Sequence, residues 1–328
     1  MVYLDYNAST PVDQRVLPAI TEAHEAFGNP SSAHHSVGRV AAELVEEARS
    51  RVADLLGRPM QDIIFTSGAT EAATLGLLGA MLGAPSRPNI VVSATEHKAV
   101  LAAAELGVRL SGGEVRTVRV DETGLIDLTS LNRLVDESVA MVAVMAANNE
   151  TGVVAPIAEV RSITKRSGVL NFIDATQLVG KASLGAAASA ADLMVCSSHK
   201  IYGPKGAGAL VASRSTQKMI VPIASGGGQE RGLRGGTQNT PSIVGFGLAA
   251  ELAMKEQGSD TARLGQLSSE LLCELQRRVS GIRVNGGNAE RLSNTLNLRF
   301  VGADAEAVMA SMPEVHVSAG SACQSAVP

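Results

Sequence analysis

The sequence predicts an α/β fold: a larger domain with a mainly parallel sheet, joined to a smaller α+β domain. Three observations predict it. From about residue 40 to 260, short apolar runs alternate with segments of helical period. Runs such as "VAMVAVMAAN" are apolar throughout, as strands covered on both faces must be. After "TPSIVGFGLAAELAMKEQG" the alternation stops, and one helix, two strands and a short helix follow.

The elements are read in order. "VAAELVEEARSRVADLLG" sets Leu44, Ala48, Val52 and Leu55 near helical spacing, with Gly57 as its stop. "DIIFTSG" is a short strand running into a glycine turn, and "NIVVSATEH" and "EVRTVRV" are strands. "LTSLNRLVDES" is a helix, "VAMVAVMAAN" a buried strand and "IAEVRSITKRSG" a helix. "VLNFIDAT", "ADLMVCSS" and "GALVAS" are three further strands. A long helical stretch at "TPSIVGFGLAAELAMKEQG" is followed by a separate helix, "TARLGQLSSELLCELQRRVSG". "IRVNGG" and "LSNTLNLRF" read as strands and "DAEAVMASM" as a short helix. The larger domain is placed at 10–257, and the smaller at 1–9 and 258–328. No internal repeat is visible.

Composition narrows the function classes. A chain of 328 residues has room for two domains. The apolar share of 45% and charged share of 18% are ordinary for a soluble globular protein. Net charge is −4, aromatics make up 2% and tryptophan is absent, so neither a basic face nor stacking aromatics point to nucleic acid. "MVYLDYNAST" lacks a basic segment followed by an apolar core, so no signal peptide is expected, and no run is long enough to cross a bilayer. Cys196, Cys273 and Cys323 are far apart with no C-x-x-C pair. That spacing argues against a disulfide framework and a zinc site, and favours a reducing cytoplasm.

In an open parallel sheet, sites form outside the carboxyl ends of the strands. Five apolar runs end in polar sets: "FTSGATE", "SATEHK", "AANNETG", "NFIDATQ" and "CSSHKIYGPKG". The "SGATE" turn is either a helix cap or a phosphate cradle made by the N–H groups around Ala69, with Thr70 adding a hydroxyl. It lacks the Gly-Lys-Ser/Thr of a P-loop. Asp174 is either a helix cap or the partner of a cationic ring nitrogen, because a carboxylate at a buried strand end needs a partner. Lys200 follows Ser197, Ser198 and His199 at a strand end, where a desolvated amine becomes a nucleophile or base. Lys205 reads as surface. His97 is either a structural histidine or a ring stacked on a planar cofactor. His34 and His35 lack supporting ligands at metal spacing and read as structural. "SGGGQERGLRGGTQNTP", with Arg231, Arg234 and Thr237, is either a solvated hinge or an anion-contacting loop. The close of the chain, "VHVSAGSACQSAVP", is loop-like and carries Cys323. Together a lysine, a strand-end aspartate, a phosphate-type turn and a stacking histidine are the parts that a pyridoxal 5'-phosphate site needs.

At these residues the chain resembles the cysteine desulfurases, in the branch serving iron–sulfur assembly and thiolation. The resemblance rests on "YLDYNASTPVD", "GNPSSAHHSVGR", "FTSGATEA", "EHKAVL", "NNETG", "DATQ", "SSHKIYGPKG", "GGGQERGLRGGTQN" and "SAGSACQSA", in order from residue 2 to 326. Ser-Ser-His-Lys and Gly-Ser-Ala-Cys are the most specific. The resemblance implies the aspartate-aminotransferase-like fold (fold type I of the pyridoxal-phosphate enzymes), a homodimer, L-cysteine as substrate and a sulfur-acceptor protein as partner. It implies no direct contact with nucleic acid or membrane.

The resemblance also assigns roles. Lys200 carries the cofactor and moves the substrate Cα proton. His97 stacks on the ring and acts as acid and base. Asp174 pairs with the ring nitrogen and Gln177 with the phenolic oxygen. Ala69, Thr70, Ser197 and His199 hold the phosphate, with Thr237 reaching in from the partner subunit. Asn149 lies near the ring oxygen and the substrate carboxylate. Cys323 takes the sulfur as a persulfide, and alanine is released. Cys196 reads as an inert core thiol and Cys273 likewise as structural. The family pattern has a serine where this chain has Gly235. It also continues past the cysteine loop, with an arginine clamping the substrate carboxylate, so the small domain reads as shortened there. The alternatives are another enzyme of the same fold, a transaminase or selenocysteine lyase, or a weakly active sulfur-transfer and partner-binding protein. Cys323 argues against transamination.

Overall fold

The computed structural model of the chain describes residues 1–320. Its first half contains β1 (Val2–Tyr3), α1 (Val16–Glu25), α2 (Ser36–Leu56), β2 (Ile63–Thr66), α3 (Ala69–Leu82), β3 (Asn89–Ser93), α4 (Lys98–Ser111), β4 (Val115–Val118), α5 (Leu128–Leu134) and β5 (Val139–Met145). There follow α6 (Ile157–Arg166), β6 (Leu170–Asp174), α7 (Gly185–Ala190), β7 (Leu193–Ser197), β8 (Gly208–Ala212) and α8 (Arg214–Gln217). The last part holds α9 (Thr240–Arg278), β9 (Ile282–Val284), β10 (Leu298–Phe300), α10 (Ala305–Ala310) and β11 (Val315–His316). Among the described residues no helix is long and apolar enough to cross a membrane.

Seven strands form one sheet in the order β2-β8-β7-β6-β5-β3-β4. Alternate side chains point to opposite faces, and each face has its own core. Ile63, Phe65, Val142 and Val144 join one cluster with residues of α2, α6 and the start of α9. Ile64, Met141 and Ala143 join the other with α3 and α4. This two-sided cover is why β5 is buried at every position and reads as an unbroken apolar run. Gly57 caps α2 at φ 61, the left-handed turn its position predicts.

The sheet is mainly parallel, as expected, with one antiparallel strand, and one expectation, the division of the long helical stretch, needs correction. β8 runs antiparallel to both neighbours, β2 and β7. The 198–207 connection is too short for the crossover a parallel neighbour requires. The stretch read as two helices is one, α9, with 39 residues. Gly258 costs about 1 kcal/mol inside a helix. No proline breaks the backbone ladder there, and burial of Ile243, Phe246, Ala249 and Ala250 anchors the first half.

The glycine-rich 225–239 loop covers the open edge of the sheet. Glu230 accepts the N–H of Phe65 on β2 at 2.9 Å, and Arg49 pairs with Glu230 at 2.8 Å beneath it. At the other end of the fold, β1 pairs with β11 in parallel, Val2 opposite Val315. That pairing brings residues 1–10 and 315–320 to the same place, beside the carboxyl ends of the large sheet.

Candidate active site

Register gathers the strand ends. Thr66 and Ser197 both pair with Gly208, Asp174 pairs with Val195, and Met145 with Asp174. The carboxyl ends of β2, β7, β6 and β5 therefore share one edge, which opens into a cavity of about 1320 Å³. Ala69, Thr70, His97, Asn149, Asp174, Gln177, Ser197, His199 and Lys200 all line it. The polar sets that follow separate apolar runs in sequence thus converge as expected.

Lys200 ends a short 3₁₀ turn, Ser198–Lys200, directly after β7. Its Nζ donates to the carbonyl of Ala8 at 2.8 Å and to that of Asn7. The N-terminal segment clamps this turn. Thr10 donates through both N–H and hydroxyl to the His199 carbonyl and accepts the Tyr202 N–H at 2.9 Å. Tyr202 is held at φ 63, a costly conformation for a side-chain-bearing residue, which puts backbone strain two residues from Lys200.

Asp174 lies buried at the floor, and its Oδ1 accepts the Thr176 N–H at 2.9 Å. Two neighbours feel its charge. Burial first, then the Asp174 charge, push the Glu96 carboxyl up to about 8. The same two causes push the Cys196 thiol up to about 12. A buried carboxylate is stabilised by a nearby cation, and among the described residues no salt bridge includes Asp174.

The first turn of α3 has no side-chain cap, so the N–H groups at Ala69 and Thr70 face the cavity mouth with the positive end of the helix. Arg234 pairs with Glu71 at 2.8 Å and holds this turn from behind. Burial raises the Glu71 carboxyl, but the bonds from Arg234 and Ser67 outweigh it and leave it lowered. The turn sits against β8: a Cβ on Gly208 would lie 2.6 Å from the Gly68 Cα.

His97 has both of the roles weighed for it within reach. It caps α4, accepting the Ala99 N–H on Nδ1 at 3.1 Å, and it lines the cavity. His199 lies 3.2 Å from the Ser9 hydroxyl through Nδ1. Burial, then the charges of Lys200, Lys205 and Lys181, push it down to about 4, so it is neutral at pH 7. Lys205 is exposed, as its position predicts, and its charge still reaches the site. Asn149 accepts the Asn7 side-chain N–H on its carbonyl at 3.2 Å.

Other expectations fall outside this cavity. Thr237 is exposed and does not line it. Cys323 lies outside the described residues, although Ser318, Ala319 and Gly320 line the mouth. Cys196 is buried at 1% exposure, as read. Cys273 is instead exposed on α9, where the helix turns that face away from the core. Arg231 and Arg234 are engaged by protein groups, the Ile63 carbonyl and Glu71, so these two side chains anchor the loop to its own protomer.

A family model described as aminotransferase class-V matches residues 2–327. The chain belongs to the class-V aminotransferase family. A cysteine desulfurase of Frankia sp. (strain EuIK1) is 44% identical over 98% of this chain and 80% of that protein. The cysteine desulfurase IscS of Rickettsia rickettsii (strain Iowa) is 41% identical over 99% and 80%. Among solved structures, a NifS-like protein superposes with a TM-score of 0.90 at 37% identity, covering 97% of this chain and 87% of its own. The NifS-like protein of Rickettsia africae ESF-5 gives 0.87 at 32% identity over 98% and 88%. The fold is thus that of the NifS-like class-V enzymes.

In this member of the family, sequence reasoning missed three residues of the site. Asn7 joins four separate segments of the chain: it donates to Asn149 and Thr295, accepts from Asn294, and its carbonyl receives Gln177 and Lys200. Lys181 bonds Gln177 at 2.5 Å. Glu96 is buried and close enough to feel the Asp174 charge. Lys181 had a readable signal, its place four residues after Gln177. The other two sit in loops whose partners come from distant sequence.

Proposed function

We propose that this chain is a pyridoxal-phosphate-dependent cysteine desulfurase that converts L-cysteine to L-alanine and keeps the sulfur on Cys323. The convergence of Lys200, Asp174 and the uncapped start of α3 in one cavity carries the reading. The relatives named cysteine desulfurase support the substrate, as does SspA, whose structure was solved in complex with cysteine and which superposes with a TM-score of 0.86 at 31% identity.

The donor set fits the cofactor. A phosphate suits the first-turn N–H groups of α3, the hydroxyls of Thr70 and Ser197, and a neutral His199. The buried Asp174 carboxylate suits a protonated ring nitrogen, and the unpartnered Thr176 hydroxyl leaves a further polar group in the cavity wall. Bound there, pyridoxal phosphate supplies an electron sink for the bonds at the substrate's Cα and Cβ.

The chain's own groups do the rest. Lys200 Nζ holds the cofactor and moves the Cα proton. His97 has Nδ1 committed to Ala99, so it exchanges protons through Nε2. Gln177 and Asn149 orient the ring oxygen and the substrate carboxylate. Cys323, as a thiolate, attacks the substrate sulfur. An S–S bond forms, the Cβ–S bond breaks, and Cβ keeps the electron pair and gains a proton, so alanine leaves without an external oxidant. The persulfide then passes to an acceptor protein. Thr237, exposed and away from its own cavity, serves the phosphate of a second protomer in a homodimer. Wide-spaced cysteines fit a reducing cytoplasm.

Purified protein has a visible absorption band, and with L-cysteine and a thiol reductant it yields alanine and sulfide. Cys323→Ala keeps the band and loses sulfide. Unchanged sulfide in Cys323→Ala sinks the persulfide role, and a colourless protein that takes up no cofactor sinks the whole reading.

A further inference from the structure

The cavity holds a second lysine that the proposed chemistry does not use. Lys181 follows Gln177 by four residues in the turn after β6. Its Nζ donates to Gln177 Oε1 at 2.5 Å and to Asn7 Oδ1 at 3.5 Å. Gln177 Nε2 donates to the Asn7 carbonyl at 2.9 Å. That same carbonyl accepts Lys200 Nζ. Asn7, Gln177, Lys181 and Lys200 all line the cavity.

A glutamine amide has an acceptor end and a donor end, and only its partners decide which way it points. Here both ends are specified. Lys181 Nζ donates to the amide oxygen, and in its charged form it has donors alone. The Asn7 carbonyl accepts alone, so it must meet the amide nitrogen. The nitrogen carries two hydrogens and Asn7 takes one. The second is left to donate within the cavity that Gln177 and Lys200 both line. A charge-assisted bond on the oxygen also polarises the amide and makes that nitrogen a stronger donor.

Keeping an amine here is costly. Burial, then the positive charge of Lys200, push Lys181 down to about 7. A side chain that only filled space would be apolar, since a partly buried charge beside a like charge destabilises.

We propose that Lys181 is a positioning residue: it locks the Gln177 amide with its N–H₂ presented to the phenolic oxygen of the cofactor held by Lys200. The inference rests on the pyridoxal-phosphate reading above. A donor on that oxygen stabilises its anionic form, so losing the lock moves the pH at which the bound cofactor changes its spectrum.

The test follows the visible band of the holoenzyme across pH in the parent, Lys181→Met, Lys181→Arg, Gln177→Leu and the Lys181→Met/Gln177→Leu double variant. Lys181→Met moves the titration midpoint by about one unit. Lys181→Arg restores most of it. The double variant moves no further than Gln177→Leu alone, because Lys181 acts through that amide. Circular dichroism reports folding, and Lys181→Gln, which keeps a polar group of similar reach, replaces Lys181→Met if the latter does not fold. An unmoved midpoint in the folded lysine variant overturns the inference, as does a double variant that shifts by the sum of the two. A parent protein with no visible band overturns the cofactor reading itself, so the two failures are told apart.

Discussion

Replacing Glu230 with glutamine breaks a buried ion pair and leaves Arg49 charged inside the protein. Arg49 and Glu230 expose only 4% and 1% of their side chains. Arg49 donates to both Glu230 oxygens, at 2.8 and 2.9 Å, and to the Ile63 carbonyl at 3.0 Å, and its guanidinium lies 4.6 Å from the Phe65 ring. Its other carboxylate partner, Glu46, is 57% exposed and compensates little. Removing one partner of such a pair costs about 3–5 kcal/mol. With an unfolding entropy of about 2.1 cal/mol/K per residue over 328 residues, Tm at pH 7 falls by about 4–7 °C. The assay is thermal unfolding followed by circular dichroism. Arg49→Met/Glu230→Leu, which removes both charges together, recovers most of the loss. The pH sign is set by the pair. Burial raises the Glu230 carboxyl, but the bonds from Arg49, Phe65 and Gln238 outweigh it and leave it lowered. Its stabilisation is therefore complete above the ordinary value of 4.5 and is lost as pH falls through the lowered folded value. The reasoning is refuted if Glu230→Gln lowers Tm by less than about 1 °C, or if the double variant is no better than the single.

Two further perturbations probe the site. Gly208→Ala puts a methyl group 2.6 Å from Gly68 Cα and 2.8 Å from the Cys196 carbonyl, so the Gly68–Thr70 turn must move. It costs about 1–3 kcal/mol and weakens pyridoxal-phosphate binding, read by equilibrium dialysis, by about tenfold or more; unchanged affinity would show that the turn does not hold the phosphate. Glu96→Gln mimics the neutral acid. The folded carboxyl titrates at about 8 and the unfolded one at 4.5, so the parent loses stability as pH rises between those values. The variant's Tm advantage therefore grows from pH 5 to pH 8 and then levels off; a constant difference would mean that Glu96 is already charged in the fold.

Much of this was readable along the chain because it is local. Apolar runs with no polar face marked β5, β6 and β7, since both sides of those strands are covered. The polar sets after them marked one edge, since parallel strands share a direction. Antiparallel β8 was not readable from its own apolar run, because direction depends on the length of the connection before it. The unbroken α9 was not readable either. Its glycine looks like a stop until the burial on either side is seen to outweigh it. Arg231 and Arg234 illustrate the same limit: their sequence surroundings are the same whether they meet an anion or, as here, the Ile63 carbonyl and Glu71.

The sequence by itself determined the alternation of strand and helix, the family, and the chemical identity of the groups at the strand ends, because each depends on residue type and short spacing. The tertiary structure alone decided which of those groups meet and in what electrical state. Asp174 raises Glu96 and Cys196, and three lysines depress His199, only because burial strips away the water that would otherwise screen their charges. The Asn7 carbonyl that receives both Gln177 and Lys200 comes from more than a hundred residues away, and no local pattern encodes that contact.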